Sequence, residues 1–168
     1  LFHQTFKAFT FQRYGVDTGS LRRVAGAQSP LSSVLAAADG QRQTTRFDGV
    51  GLPTVADWLP LDRIQDTSAV LTEPEWREGA QAVLEQAREH RLPGILVAGI
   101  SPATLSLTLA STAGYVLFAA PELHRFTGEN ETAEALLAAA RMTNALVGVT
   151  SGHDGLRWCE PDGTPQSM

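Results

Sequence analysis

From residue 67 onward the apolar positions fall into two alternating rhythms. Short runs at Thr67–Leu71, Ile95–Ala98, Tyr115–Phe118 and Ala145–Thr150 predict strands, the last of them, unbroken and apolar, one covered on both faces of the sheet. Between them the spacing becomes helical. Trp76, Ala80, Val83, Leu84 and Ala87 share one face of a helix that Thr72-Glu-Pro-Glu75 would open as a capping box and that runs to about Arg91. Ser101-Pro102 would start a second helix through Leu105 and Leu109, and Pro121–Phe126 a short helical turn stopped by Gly128. Glu131–Arg141 would turn Ala133, Leu136, Leu137 and Ala140 inward. Strand and helix alternating in this way predict parallel strands with right-handed crossovers, an α/β layered sheet.

Before residue 67 the pattern differs. Phe11–Thr18 reads as the last turn of a helix, with Gly15 as the left-handed residue after it. Leu21–Val24 is a candidate short strand. Leu31–Ala38 and Gln43–Phe47 flank Asp39-Gly40, a hairpin signal with room for a loop longer than two residues. Gly49–Leu61, with Gly51, Pro53 and Pro60, reads as a connection. A β-rich segment (about 20–50) thus precedes an α/β core (about 62–163) in one domain.

The chain closes on a strand, a loop and a strand: Ala145–Thr150, Ser151–Gly155 and Leu156–Cys159, followed by a Pro161-Asp-Gly163 turn. Gly152 and Gly155 leave a loop with little side-chain bulk, where backbone N–H groups can approach a ligand. A tight turn between two strands would read the same way.

Composition narrows the class. A net charge of -5, without a Lys/Arg cluster, gives no electrostatic footprint for nucleic acid. No apolar run approaches the roughly 20 residues of a membrane span. The one cysteine, Cys159, cannot form an internal disulfide, which favours a reducing compartment and a cytoplasmic protein. His3, His90 and His124 are too scattered for a tetrahedral metal site. Ser151, His153 and Asp154 are neighbours without a nucleophile elbow, so a hydrolase is disfavoured, and His153 and Asp154 read as solvated loop-tip residues. No Walker loop or Gly-x-Gly-x-x-Gly fingerprint follows a strand. Asn130-Glu-Thr132 reads as a helix N-terminus.

Several segments, in order, resemble the PfkB-type (ribokinase-like) carbohydrate kinases. Gly15-Val-Asp-Thr18, Arg22-Arg-Val24 and the stretch from Ser29-Pro30 to Asp39-Gly-Gln-Arg42 are similar to that family's central lid region. Phe118-Ala-Ala-Pro-Glu-Leu-His-Arg-Phe-Thr-Gly128 resembles its asparagine–glutamate segment. Val149-Thr-Ser-Gly-His-Asp-Gly155 resembles its Val-Thr-x-Gly-x-x-Gly nucleotide loop. The resemblance implies a ribokinase-like sheet with a small β lid, and transfer of the ATP γ-phosphoryl group to a sugar hydroxyl. It implies ATP and Mg2+ as cofactors, with Thr150, Ser151, Gly152 and Gly155 on the nucleotide side and Glu122 near the metal. It also raises a homodimer through the lid.

Two departures set limits on that reading. Ala119 stands at the family's asparagine position, and Val97 or Gly99 where an acidic residue is common. The family's N-terminal sugar-binding strand and its catalytic aspartate would both fall outside these residues, so no catalytic residue is assigned, and weak binding without turnover is expected. The rival expectation is a non-catalytic nucleotide- or sugar-binding or dimerising module. For single residues the plainer readings are a strand-end threonine at Thr150 and a helix first-turn carboxylate at Glu122.

Overall fold

Strand pairing follows chain order in the computed structural model, which describes residues 10–37, 42–98, 105–152 and 155–168. The chain divides between Pro53 and Thr54 into two compact units. In the first, β1 (Leu31–Ala36) and β2 (Arg42–Phe47) form an antiparallel pair from Leu31 opposite Phe47 to Ala36 opposite Arg42. The register leaves a five-residue connection, longer than a tight hairpin turn. Asp39-Gly40 lies within it, outside the described residues. All six residues of β1 are exposed. The expected helix end is present: residues 10–13 are helical and Gly15 follows at φ +77°. Leu21–Val24 forms no strand; among the described residues an isolated bridge between Gln28 and Val50 adds to the hairpin.

The second unit is built on six strands, adjacent in the order β3 (Val70–Thr72), β4 (Gly94–Ala98), β5 (Tyr115–Ala119), β6 (Leu146–Thr150), β7 (Leu156–Cys159) and β8 (Gln166–Ser167). The pairings from β3 to β6 are parallel and those from β6 to β8 antiparallel. Helices α1 (Arg77–Glu89), α2 (Leu107–Thr112), α3 (Ala120–Thr127) and α4 (Thr132–Thr143) fall between the strands. The expected α/β sheet is therefore present, mostly parallel. Sequence reasoning missed the two-residue β8 and the 3-10 helix Leu61–Asp66.

Register shows where the core sits. Leu96, Val116, Val147 and Cys159 stand side by side, with Ala98, Phe118 and Val149 two positions on. Alternation puts all seven on one face. All are buried, in a single cluster with Ala80 and Leu84 of α1, Leu109 of α2, Leu123 of α3 and Leu136 of α4. The opposite face is less enclosed. Leu71, Ile95, Tyr115 and Leu146 align there, with Leu71 64% and Tyr115 41% exposed.

The helix starts depart from expectation. Thr72 is held in β3 opposite Leu96, so it cannot cap; the helix begins at Arg77, and its N-cap, Trp76, makes no side-chain cap bond. Trp76 instead stacks on Trp58, ring centroids 5.5 Å apart, and its Nε1 donates to the Thr54 carbonyl at 2.6 Å. The second helix begins beyond Leu105, where the Ser106 hydroxyl accepts from the Leu109 N–H at 3.2 Å. Ser101-Pro102 lies outside the described residues. In α4, Ala133 is exposed, while Ala135, Ala139 and Thr143 are buried beside Leu136 and Ala140. Contacts with α2, α3, β6 and β7 enclose more of that helix than one stripe.

Candidate functional site

In a parallel sheet, ligands bind outside the carboxyl ends of the strands, where the connections to the following helices gather. Here β5 and β6 end together: Ala119 pairs with Thr150, each the last residue of its strand. Beyond Ala119 the chain turns at once into α3. Beyond Thr150 it enters the Ser151-Gly152 loop. Two of the sequence-derived segments therefore leave the sheet at one edge.

The α3 segment is fixed from beneath. Leu123 is fully buried, and Phe126 packs on Phe118 of β5 with ring centroids 5.3 Å apart. Pro121 stands in the first turn, where its missing N–H costs nothing, and Gly128 ends the helix at φ +77°. Glu122 is thus held in the first turn, its side chain only 12% exposed, beside the positive end of the helix dipole. Its Oε1 accepts a hydrogen bond from the Arg125 guanidinium. Arg125 was not among the expected site residues, although i,i+3 spacing from Glu122 is a readable pairing signal.

The four loop positions differ from one another. Thr150 Oγ1 donates to the Phe118 carbonyl at 3.4 Å, which ties the end of β6 to β5. The Ser151 N–H donates to the Gly155 carbonyl at 3.1 Å, so that amide is used inside the loop. Gly152, at φ +59°, has none of the described residues within 4 Å of where a Cβ would stand. Gly155, at φ +82°, is closed on that side: a Cβ would meet the Met168 carbonyl oxygen at 2.5 Å. The glycine at 155 thus lets the C-terminal residue pass, and the one at 152 leaves backbone open to approach. His153 and Asp154 lie outside the described residues.

These residues can be set against the groups that the sequence implied. One open glycine at a strand end suits a nucleotide phosphate, which backbone amides bind at close approach. Among the described residues no three His, Cys, Asp or Glu side chains cluster as a metal site. Magnesium commonly takes only one or two carboxylates and completes its shell with water and substrate phosphates. The lone Glu122 carboxylate fits that habit and no protein-only cage. No helix of the described residues is long and apolar enough to cross a membrane.

A mostly parallel α/β sheet with a separate two-stranded hairpin and a strand-end loop defines the class. Comparison with known proteins makes it more specific. No family model matches the chain. Solved structures do. The chain superposes on a presumptive ribokinase from Agrobacterium tumefaciens with a TM-score of 0.83 and 28% identity, over 98% of its own length and 54% of that chain. For the Arabidopsis thaliana ribokinase, solved with ribose and ATP, the TM-score is 0.77 and the identity 21%, over 92% of this chain and 52% of that one. For the adenosine kinase of Sinorhizobium meliloti the values are 0.78 and 16%, over 96% and 53%. The fold is ribokinase-like, its neighbours are sugar and nucleoside kinases, and the chain spans about half the length of each.

Proposed function

We propose that the chain is the lid and nucleotide-side portion of an ATP-dependent sugar kinase, which transfers the γ-phosphoryl group of ATP to a sugar hydroxyl. The observation that carries this reading is the common edge at which the Glu122 and Thr150 segments leave the sheet, in a fold shared with ribokinases. Phosphoryl transfer needs positioning and charge neutralisation more than covalent help from the protein. ATP supplies the phosphoryl group and magnesium the neutralising charge. Thr150, Ser151, Gly152 and Gly155 would line the nucleotide, with Gly152 giving the closest backbone approach and Gly155 holding the loop against Met168. Glu122 would join the magnesium shell, oriented by Arg125. The base for the sugar hydroxyl is assigned to no residue of this chain.

The β1–β2 hairpin would act as the lid over the sugar. A two-stranded ribbon is marginal alone in water. Leu31, Leu35 and Phe47, which alternation places on one of its faces, are 56%, 65% and 42% exposed. Pairing with the same face of a second copy would cover them, so a homodimer through the lid accompanies this reading. An unpaired, buried Cys159 suits a cytoplasmic protein.

Nucleotide binding tests the proposal. With Mg2+ and ATP at about ten times Kd, the 168-residue chain should gain roughly 1.4 kcal/mol, a rise of about 3 to 6 °C in Tm. No saturable shift or calorimetric heat up to about 10 mM MgATP, weaker than any useful site, would overturn it.

A further inference from the structure

The opposite, amino edge of the sheet carries a cavity of about 420 Å³, within the size range of small-molecule sites. It lies where α1, α2 and α4 end and where β4 and β5 begin. Leu84 and Pro93 give it an apolar wall, and its polar lining includes Tyr115, Asn144, Arg88 and Arg91 beside Ser111 and Thr112. Four residue steps along β5 separate this edge from Ala119, roughly 13 Å at the rise of a strand. A ligand here would not touch the Thr150–Gly152 loop, so the inference stands apart from the kinase reading.

Two observations single out this cavity. Neither Arg88 nor Arg91 has a carboxylate partner among the described residues, in a chain of net charge -5. The two non-glycine residues with left-handed backbone among the described residues, Arg91 at φ +57° and Asn144 at φ +55°, both line it. Arg91 follows α1 where glycine usually stands, its N–H bonded to the Arg88 carbonyl and the next N–H, of Leu92, to the Ala87 carbonyl. A long cationic side chain is kept there at a steric cost that glycine avoids. The carbonyl-rich end of α1 accounts for a cation at Arg88, in its last turn.

We propose that this cavity binds a small organic oxyanion, a phosphate monoester or a carboxylate. Its charged end is held by the guanidinium forks of Arg88 and Arg91, and its apolar body lies against Leu84 and Pro93. Guanidinium is matched to such groups because its planar donors meet two oxygens at once.

Phenyl phosphate and benzoate serve as probes, with phenol as the uncharged control, in calorimetric titrations of the 168-residue chain. At least one anion should bind saturably with a Kd below about 1 mM, and phenol should not. Binding should weaken at least tenfold in Arg88→Gln and in Arg91→Gly. The second variant keeps its fold, because glycine relieves the left-handed backbone, and its Tm should equal or exceed that of the parent. Tighter binding of phenyl phosphate would support the site with a phosphate ester as ligand; tighter binding of benzoate would support it with a carboxylate. Failure of both anions to saturate by about 10 mM, or unchanged affinity in the two variants, would overturn the inference.

Discussion

Ala119 and Thr150 face each other at the ends of two parallel strands, and the Thr150 hydroxyl reaches back to the carbonyl of Phe118, one residue before its partner. Through this pairing the segments that carry Glu122 and Gly152, 30 positions apart in the chain, leave the sheet at the same strand ends. Both would meet one bound nucleotide only while that register holds.

At Gly152 the backbone is left-handed and its Cβ direction meets none of the described residues. Gly152→Val would therefore act through backbone strain rather than collision, since a β-branched residue resists that conformation. The loop should move, and the MgATP-induced rise in Tm should vanish. Gly152→Asn tolerates the same φ and should keep part of the rise. An equal response in parent and valine variant would reduce the loop to a turn.

Glu122→Gln removes one charge beside Arg125 and the proposed metal ligand together. Arg125 is 51% exposed, so the lost ion pair should cost no more than about 1 kcal/mol of stability. Nucleotide binding should lose most of its dependence on Mg2+, read by titrating ATP with and without the ion. Retained magnesium dependence would leave Glu122 a helix-end carboxylate.

Gly79 lies under the Trp76 ring, where an added Cβ would come within 2.3 Å of it. Gly79→Ala should push Trp76 off Trp58 and off the Thr54 carbonyl. We expect a loss of about 1–3 kcal/mol, as for other overpacked sites, with a changed near-UV circular dichroism signal from the indole pair. An unaltered signal would mean that the ring has another place to go.

Burial raises the Cys159 thiol above its ordinary pKa; nearby Arg141 opposes this and Glu160 adds to it. The unfolded chain then loses the thiol proton first as pH rises. The stabilisation is complete below the unfolded pKa and is lost as pH climbs through the folded one. Urea midpoints should fall between about pH 7 and about pH 10, and less steeply in Cys159→Ala. Parallel slopes in the two proteins would remove the thiol as the cause.

Besides the hairpin face, the sheet face bearing the exposed Leu71 and Tyr115 is apolar and should add to association of the 168-residue chain in solution. Leu71→Lys on the edge strand β3 should lower the associated fraction in sedimentation, because a charge on an edge opposes pairing. An unchanged distribution would point to another surface.

Much of the fold was legible from local pattern. The short apolar runs announced β4, β5 and β6 as strands, the last as a buried one, and Gly128 the end of α3, because burial and backbone freedom leave marks on the residues that carry them. The capping box was legible too, and misleading. Thr72-Glu-Pro-Glu75 has the right letters, but Thr72 was claimed by a parallel strand whose partner, Leu96, lies 24 residues away. In the site, the sequence supplied Glu122, Thr150 and the two glycines as candidates. It could not tell an open glycine from one closed by Met168, since that depends on a strand returning from the far end of the chain.

By itself the sequence determined the alternation of strands and helices, the apolar stripe of α1 and the places where the chain turns, all set by neighbours within a few residues. Tertiary structure alone decided which strands pair and in what register, which face is buried, and that Ala119 meets Thr150. Those outcomes depend on contacts between distant residues, and no local pattern encodes them.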